Sequence, residues 1–226
     1  MKIPLFDIDG TLFKTANPVH KDAFNYAFRK VYGQPARQDE TGPEGKTDSQ
    51  IIVEVMHIRG FSPEETRKKL KTAMQVMAEY FDEHRNEVNP DVLPGVKELL
   101  INLREKNIPA GVLTGNVEGI GWTKIEKAGL RDLIEFGAFG DRTEKRVELV
   151  DIARRNAQAF YGKEFKLDDF VIVGDTPRDF QCAKDAEIEV ILVATGKFSY
   201  EELEKLKPDL LVKTLEDKRV LEFLTS

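Results

Sequence analysis

The second half of the chain alternates short apolar runs with amphipathic helical patterns, and this alternation limits the possible folds more than any other feature. The apolar runs suited to buried strands span residues 109–113, 134–139, 170–173, 190–193 and 210–212. Strands that alternate with helices are typical of a parallel sheet with helices packed on its faces. We therefore expect an α/β fold with a doubly wound, Rossmann-like parallel sheet.

A further strand is predicted at the start of the chain, far from the others. Residues 3–7 form a short apolar run that ends in Asp7, whereas residues 15–88 repeat apolar side chains at helical spacing. Within that segment Asn17 can cap the first helix, and Ser62 with Glu65 has the spacing of a capping box. Because the first strand belongs with the later ones, we expect a core of residues 1–14 and 89–226, interrupted by a helical cap of residues 15–88.

Composition narrows the partners and the cellular location. The 226 residues carry 34 basic and 40 acidic side chains, a net charge of −6, with no basic tract, which argues against nucleic acid or an anionic membrane surface as a partner. The single cysteine, Cys182, excludes an internal disulfide and indicates a reducing compartment. No apolar run approaches the length of a membrane span. We expect a cytoplasmic protein, either a monomer or a homodimer.

Two acidic residues follow the first predicted strand. Asp7 and Asp9 are two residues apart, so their side chains leave the same face of an extended backbone. Carboxylates placed together repel each other unless they share a proton or a cation, and the hard cation Mg²⁺ is a suitable occupant. The alternative is an aspartate turn formed with Gly10 and Thr11.

The same arrangement recurs at another strand end. Asp175 directly follows the apolar residues 171–174 and could complete a metal site with Asp7, since open parallel sheets bind ligands at the carboxyl ends of their strands. Asp179 has capping-box spacing with Thr176, and an acid there also suits the helix dipole. We expect Asp179 to support the site through hydrogen bonds rather than to bind a metal directly.

Phosphate-binding groups follow the strand at residues 109–113. Thr114 offers a hydroxyl, Gly115 an unhindered amide and Asn116 a carboxamide donor. An ordinary turn into the next helix, capped by Asn116, is the alternative.

In their order and spacing, these residues resemble three of the four motifs of the haloacid dehalogenase superfamily. The matching segments are Asp7–Leu12, Leu113–Asn116 and Gly174–Asp179, and the inserted helices look like the small helical cap of that superfamily. The fourth motif, a basic residue before the last acidic strand end, is matched by either Lys145 or Arg146, with Arg142 a weaker candidate.

The resemblance implies a mechanism for each motif. Asp7 would be the nucleophile that forms an aspartyl-phosphate, and Asp9 the general acid and base. Mg²⁺ would lie between Asp7, the backbone carbonyl of Asp9 and Asp175. The phosphate oxygens would be held by the groups at residues 114–116 and by Lys145 or Arg146.

A loop in the cap could contact the part of the substrate that leaves. Lys46 lies in the glycine-containing segment 42–47, just before a helix for which Thr47 and Gln50 have cap spacing. We expect Gly45 and Lys46 to reach over the site, with a simple turn between helices as the alternative. His20, His57 and His84 show no ligand spacing, and we assign them no catalytic role.

The sequence therefore predicts a Mg²⁺-dependent phosphatase of a small phosphorylated metabolite, for which phosphoglycolate-type substrates are the familiar example among similar proteins. A halide leaves without a proton, so the acid Asp9 argues against dehalogenation. A sugar phosphomutase using the same aspartates and a non-catalytic binding module on the same fold are the alternatives.

Overall fold

The structure is a computed structural model that describes residues 1–14 and 18–226. In this part of the chain, parallel strands form one sheet in the order β3-β2-β1-β4-β5-β6. The strands are β1 (Ile3–Phe6), β2 (Gly111–Leu113), β3 (Phe136–Ala138), β4 (Phe170–Gly174), β5 (Glu189–Val193) and β6 (Leu210–Val212). The predicted doubly wound α/β fold is confirmed, and each strand lies within a residue or two of its predicted place.

Helices connect the strands and fill the insertion. They are α1 (Pro18–Tyr32), α2 (Asp48–Ile58), α3 (Pro63–Glu83), α4 (Val96–Glu105), α5 (Glu118–Lys127), α6 (Glu148–Tyr161), α7 (Pro177–Asp185), α8 (Tyr200–Glu204) and α9 (Lys218–Thr225). The capping boxes of α3 and α7 form as the spacing predicts, and Thr47 caps α2. The predicted cap of α1, Asn17, lies outside the described residues. None of the described helices combines the length and the apolar character needed to cross a membrane.

Both faces of the sheet are buried, which explains why its strands are apolar throughout rather than alternating. On β4, Val171 and Val173 pack with helices on one face, whereas Phe170 and Ile172 pack on the other. Pro4 is tolerated in the central strand β1 because it is the second residue, ahead of the pairing with β2 that begins at Leu5.

Helices α1–α3 bury a cluster built around aromatic and methionine side chains such as Phe24, Met77 and Phe81, and Val117 and Ile120 at the start of α5 pack into it. The chain enters and leaves this insertion side by side, because Lys14 N donates to Asp91 O at 2.9 Å and Leu93 N donates to Leu12 O at 3.0 Å. The division into a cap of residues 15–88 and a core of the remaining residues stays a prediction.

Hydrogen bonds to backbone oxygens help to hold the insertion on the carboxyl edge of the sheet. The amide of Asp48 donates to Gly115 O at 2.7 Å, and Ser49 Oγ donates to Gly140 O at 2.7 Å. Gly115 has to be glycine, since a Cβ there would overlap the carbonyl oxygen of Lys46. This contact places the loop before α2 directly above the ends of β1, β2 and β4.

Candidate active site

Asp7 occupies the floor of a cleft between the sheet edge and the inserted helices. The cleft has a volume of about 610 Å³. Asp7 follows β1, where its amide donates to Val173 O at 2.9 Å, and its side chain is almost fully buried. Its Oδ1 accepts from the amide of Ile8 at 2.8 Å, and its Oδ2 faces Arg146 Nη2 at 3.1 Å. The carboxylate is thus held with one oxygen against an amide and the other against a cation.

Of the two basic residues predicted for the fourth motif, the structure brings Arg146 to the site and leaves Lys145 at the surface. Arg146 is 9% exposed, and its Nη2 lies 2.6 Å from Asp179 Oδ1 as well as 3.1 Å from Asp7. Its buried Nε has no hydrogen-bond partner among the described residues, so a donor remains available. The Lys145 side chain is 75% exposed and pairs with Glu148 at 3.6 Å.

Asp7, Asp175 and Asp179 bring carboxylate oxygens within 4.8 Å of one another. Asp179 uses both oxygens inside the fold: Oδ2 accepts from Thr176 N at 2.9 Å and Oδ1 accepts from Arg146. Asp175 has a single protein donor, Thr11 Oγ1 at 3.0 Å, among the described residues. Asp175 therefore keeps one oxygen without a protein donor, each oxygen of Asp7 retains a lone pair for a cation, and Asp179 holds Arg146 in place.

The electrostatics of this cluster favour a bound cation. Burial raises the pKa of Asp175 to about 8, and the neighbouring Asp179 and Asp7 add to the effect. Burial also raises the pKa of Asp7 to about 6, although Arg146 opposes it. A Cβ at either Gly10 or Gly196 would overlap the Asp175 carboxylate, so glycine keeps this space open. Oxygen donors that repel one another in a confined space fit a hard divalent ion such as Mg²⁺.

Asp9 lines the cleft beside Asp7 but is held by a different set of donors. Lys124 Nζ, from α5, donates to its Oδ1 at 2.8 Å and to its Oδ2 at 2.6 Å, and Asn116 Nδ2 donates to Oδ2 at 2.9 Å. Burial by itself would raise the pKa of Asp9, but Lys124 and His20 outweigh it and hold the pKa below its ordinary value. Asp9 therefore stands as a carboxylate, the form that accepts a proton.

The segment after β2 lies next to these aspartates. Thr114 is fully buried, and its Oγ1 accepts from Asn116 Nδ2 at 2.7 Å. Gly115 and Asn116 line the cleft. Asn116 does not cap α5, which begins after Val117; the amide of Val117 instead donates to Asp48 Oδ2 at 2.9 Å. Asn116 is thereby free to bind Asp9.

The predicted cap loop does reach the cleft. Gly45 and Lys46 both line it, and Gly45 O accepts a long hydrogen bond, 3.4 Å, from Arg146 Nη1. The ammonium of Lys46, however, pairs with Glu54 and donates to Thr41 O at 2.6 Å, so its charge is largely neutralised by the insertion itself.

The sequence interpretation missed Lys124 and gave His20 no role. His20 Nε2 lies 3.0 Å from Asp48 Oδ2, and its Nδ1 lies 3.3 Å from Lys124 Nζ, which joins the insertion to the Asp9 network. A signal for Lys124 was present, because its position falls at helical spacing from the buried Ile120 on an otherwise apolar face.

Comparisons with known proteins agree with this geometry. A family model described as haloacid dehalogenase-like hydrolase matches residues 4–193. The protein named pyrophosphatase PpaX from Caldanaerobacter subterraneus subsp. tengcongensis is 25% identical over an alignment of 221 positions, which covers 93% of this chain and 90% of that protein.

Solved structures share the fold over nearly the whole chain. A predicted phosphatase from Clostridium acetobutylicum superposes with a TM-score of 0.70 at 21% identity, covering 98% of each chain. A protein named as a β-phosphoglucomutase from Bacteroides vulgatus gives 0.69 at 21% identity, covering 100% of this chain and 89% of the other. At these identities the likeness concerns the fold alone.

Proposed function

Because the chain belongs to the haloacid dehalogenase-like hydrolase family, whose model it matches over most of its length, we propose that it is a Mg²⁺-dependent phosphatase acting on a small phosphorylated metabolite. The observation that carries this proposal is the buried Asp7, with one oxygen facing Arg146 and with Asp175 beside it. A carboxylate nucleophile needs nearby positive charge to approach an anionic phosphate, and this arrangement provides for it.

In the first half of the reaction, a carboxylate oxygen of Asp7 attacks phosphorus and the ester bond to the leaving oxygen breaks. The product is an aspartyl-phosphate together with an alcohol, whose oxygen takes the proton that Asp9 has taken up from solvent, so that Asp9 is again a carboxylate. In the second half, water attacks the same phosphorus, Asp9 accepts the proton of the water, and the bond to Asp7 breaks. Inorganic phosphate leaves, Asp7 is a carboxylate again, and Asp9 releases its proton to solvent.

Hydrogen-bond donors around Asp7 would bind the phosphate oxygens. The guanidinium of Arg146 and the amide of Gly115 lie at or beside the cleft floor, with the Thr114 hydroxyl behind them. The carboxamide of Asn116 also borders the cleft, where it donates to Asp9 and to Thr114. Such preorganised donors stabilise the charge that spreads over the equatorial oxygens during transfer.

Asp7 and Asp175, with the backbone carbonyl of Asp9, are the groups that would hold Mg²⁺. The mutual repulsion of the two carboxylates and the closeness of their oxygens fit that ion. When bound, it supplies positive charge that offsets the negative charges of the nucleophile and the phosphate.

The cleft suits a small substrate, since about 610 Å³ is within the range of small-molecule sites. Gly45 and Lys46 border the space for the leaving group. Pyrophosphate and phosphoglycolate are the first substrates to try, because a relative carries the name of a pyrophosphatase and phosphoglycolate-type esters fit the motif resemblance. A cytoplasmic location and a monomer or homodimer stay predictions.

A panel of phosphorylated metabolites and p-nitrophenyl phosphate, assayed with Mg²⁺ and with chelator, tests the proposal. We expect Mg²⁺-dependent phosphate release that Asp7→Asn abolishes, whereas Asp132→Asn, an isosteric change at an exposed residue, leaves it unchanged. Equal and negligible rates for the wild type and Asp7→Asn would favour a non-catalytic binding module.

A phosphomutase is the second candidate, because the fold is shared with a protein named as a β-phosphoglucomutase. Product analysis separates the two, since a mutase returns the phosphate to another hydroxyl of a hexose phosphate, whereas a phosphatase releases it as inorganic phosphate.

A further inference from the structure

Lys124 is a buried cation that the proposed reaction does not yet use. Its side chain is 2% exposed, and it makes close contacts through Nζ to both oxygens of Asp9, to Asn116 Oδ1 at 2.7 Å and to His20 Nδ1 at 3.3 Å. A buried ammonium is costly unless it is paired and fully hydrogen-bonded. The burial of the Lys124 ammonium therefore has to be explained by the groups to which it is hydrogen-bonded.

The contacts single out Asp9 as that partner. Among the described residues, Asp9 is the carboxylate that pairs with Lys124, and it is contacted in bidentate fashion at 2.8 and 2.6 Å. Asn116 donates to Asp9 and accepts from Lys124, closing a ring of hydrogen bonds around the carboxylate. The side chain of Asp9 is consequently fixed in one orientation.

Lys124 itself stays away from the substrate space. Asp9 and Asn116 line the cleft, whereas Lys124 lies behind them on α5. Lys124 can therefore influence the reaction only through the group that it orients.

We propose that Lys124 is a positioning residue for the second half of the reaction: it holds Asp9 as the acceptor for the proton of the attacking water. In that step a new P–O bond forms from the water, its proton passes to Asp9, and the P–O bond to Asp7 breaks. This inference rests on the proposed phosphatase function. Without Lys124, the Asp9 carboxylate can rotate away, and a misplaced base slows a reaction steeply.

Lys124→Met keeps the length of the side chain and removes its charge, and p-nitrophenyl phosphate separates the two half-reactions. Its leaving group needs no proton, so phosphoenzyme formation proceeds normally while its hydrolysis is slowed. We expect kcat to fall about 10²-fold, with kcat/KM near the wild-type value and KM lowered accordingly. A burst of one p-nitrophenol per site should precede the slow steady state.

Two further variants guard against a merely structural effect. Lys127→Met, an exposed change one turn away on α5, should show wild-type kinetics without a burst. Lys124→Arg keeps the charge and should retain more of kcat than Lys124→Met, and thermal unfolding checks that both are folded. An unchanged kcat in Lys124→Met, or equal losses in kcat and kcat/KM without a burst, would overturn the proposal.

Crystal structures of the wild type and Lys124→Met test directly, without a kinetic measurement, whether Lys124 positions the Asp9 carboxylate. We expect the Asp9 carboxylate to leave its wild-type position in the variant; an unmoved Asp9 refutes the role of Lys124 whatever the kinetics. If the wild type hydrolyses none of the tested phosphates, the proposed function fails. The crystal structures still test Lys124 in that case, because they show whether Asp9 moves when the lysine is replaced.

Discussion

In the metal-free protein, Asp175→Asn should change from neutral to stabilising as the pH rises. Asp175 is buried beside other carboxylates, and its pKa in the folded protein is raised from 3.8 to about 8. Between these values the folded state retains a proton that the unfolded state has lost, so the free energy of unfolding falls as the pH rises. Below about pH 4 the side chain is neutral in both the folded and the unfolded state, as asparagine is, whereas above pH 8 it carries an uncompensated charge in the folded protein.

The shift indicates how large this effect should be. Each pKa unit corresponds to about 1.4 kcal/mol, so the destabilisation that builds up between pH 4 and pH 8 is on the order of 5 kcal/mol. For a chain of this size, that corresponds to a difference in Tm of about 10 °C or more. Most of the shift comes from burial of Asp175, and repulsion from Asp179 and Asp7 adds to it.

Thermal unfolding of both proteins from pH 5 to pH 8.5, with chelator or with Mg²⁺, measures the effect. With chelator, the Tm of Asp175→Asn should overtake that of the wild type as the pH rises. With Mg²⁺ at high pH the order should reverse, because the ion binds the folded wild type and compensates its carboxylates. A difference in Tm that is independent of pH with chelator, or an equal Mg²⁺ effect in both proteins, would refute the reasoning.

Arg146→Met should lower kcat/KM for phosphate esters by about 10²- to 10³-fold, since a preorganised donor is lost, whereas Lys145→Met, at the exposed neighbour, should leave it near wild type. Steady-state kinetics decides; similar losses in both would show that the loop carries phosphate binding through Lys145 as well. Gly115→Ala should cost about 1–3 kcal/mol and raise KM, because its Cβ displaces the carbonyl of Lys46. Gly119→Ala, whose Cβ meets Ala78 at an ordinary 3.4 Å, is the matched control in thermal unfolding and kinetics; equal behaviour of the two would contradict the overlap.

The residues at the strand ends could be predicted because the sheet itself brings them together. Asp7, Thr114 and Asp175 each follow directly after a short apolar run, and the parallel pairing of β1 with β2 and β4 puts those ends at one edge. The predicted family is confirmed by the family match, which spans residues 4–193 and so includes the three motifs.

The orientation of side chains outside the strands could not be predicted in this way. Lys145 and Arg146 are neighbours in an irregular segment, and only the packing of that loop decides which one turns inward. The helical spacing of Lys124 from Ile120 indicates a buried face of α5, but the carboxylate that Lys124 binds depends on how α5 packs at the site. The pairing of Lys46 with Glu54 likewise arises from tertiary contacts.

Two of the contacts that hold the inserted helices on the sheet edge are made to peptide oxygens, at Gly115 and Gly140, in addition to contacts between side chains. These two contacts do not depend on the identity of the residues with which the insertion lines the cleft, including Lys21, Gln38 and Asp39. Substitutions of these residues, in evolution or in a mutant library, can therefore change which alcohol is accepted while the contacts at Gly115 and Gly140 and the aspartates of the site are retained. In this molecule, substrate selectivity and the packing of the insertion on the sheet can therefore change independently.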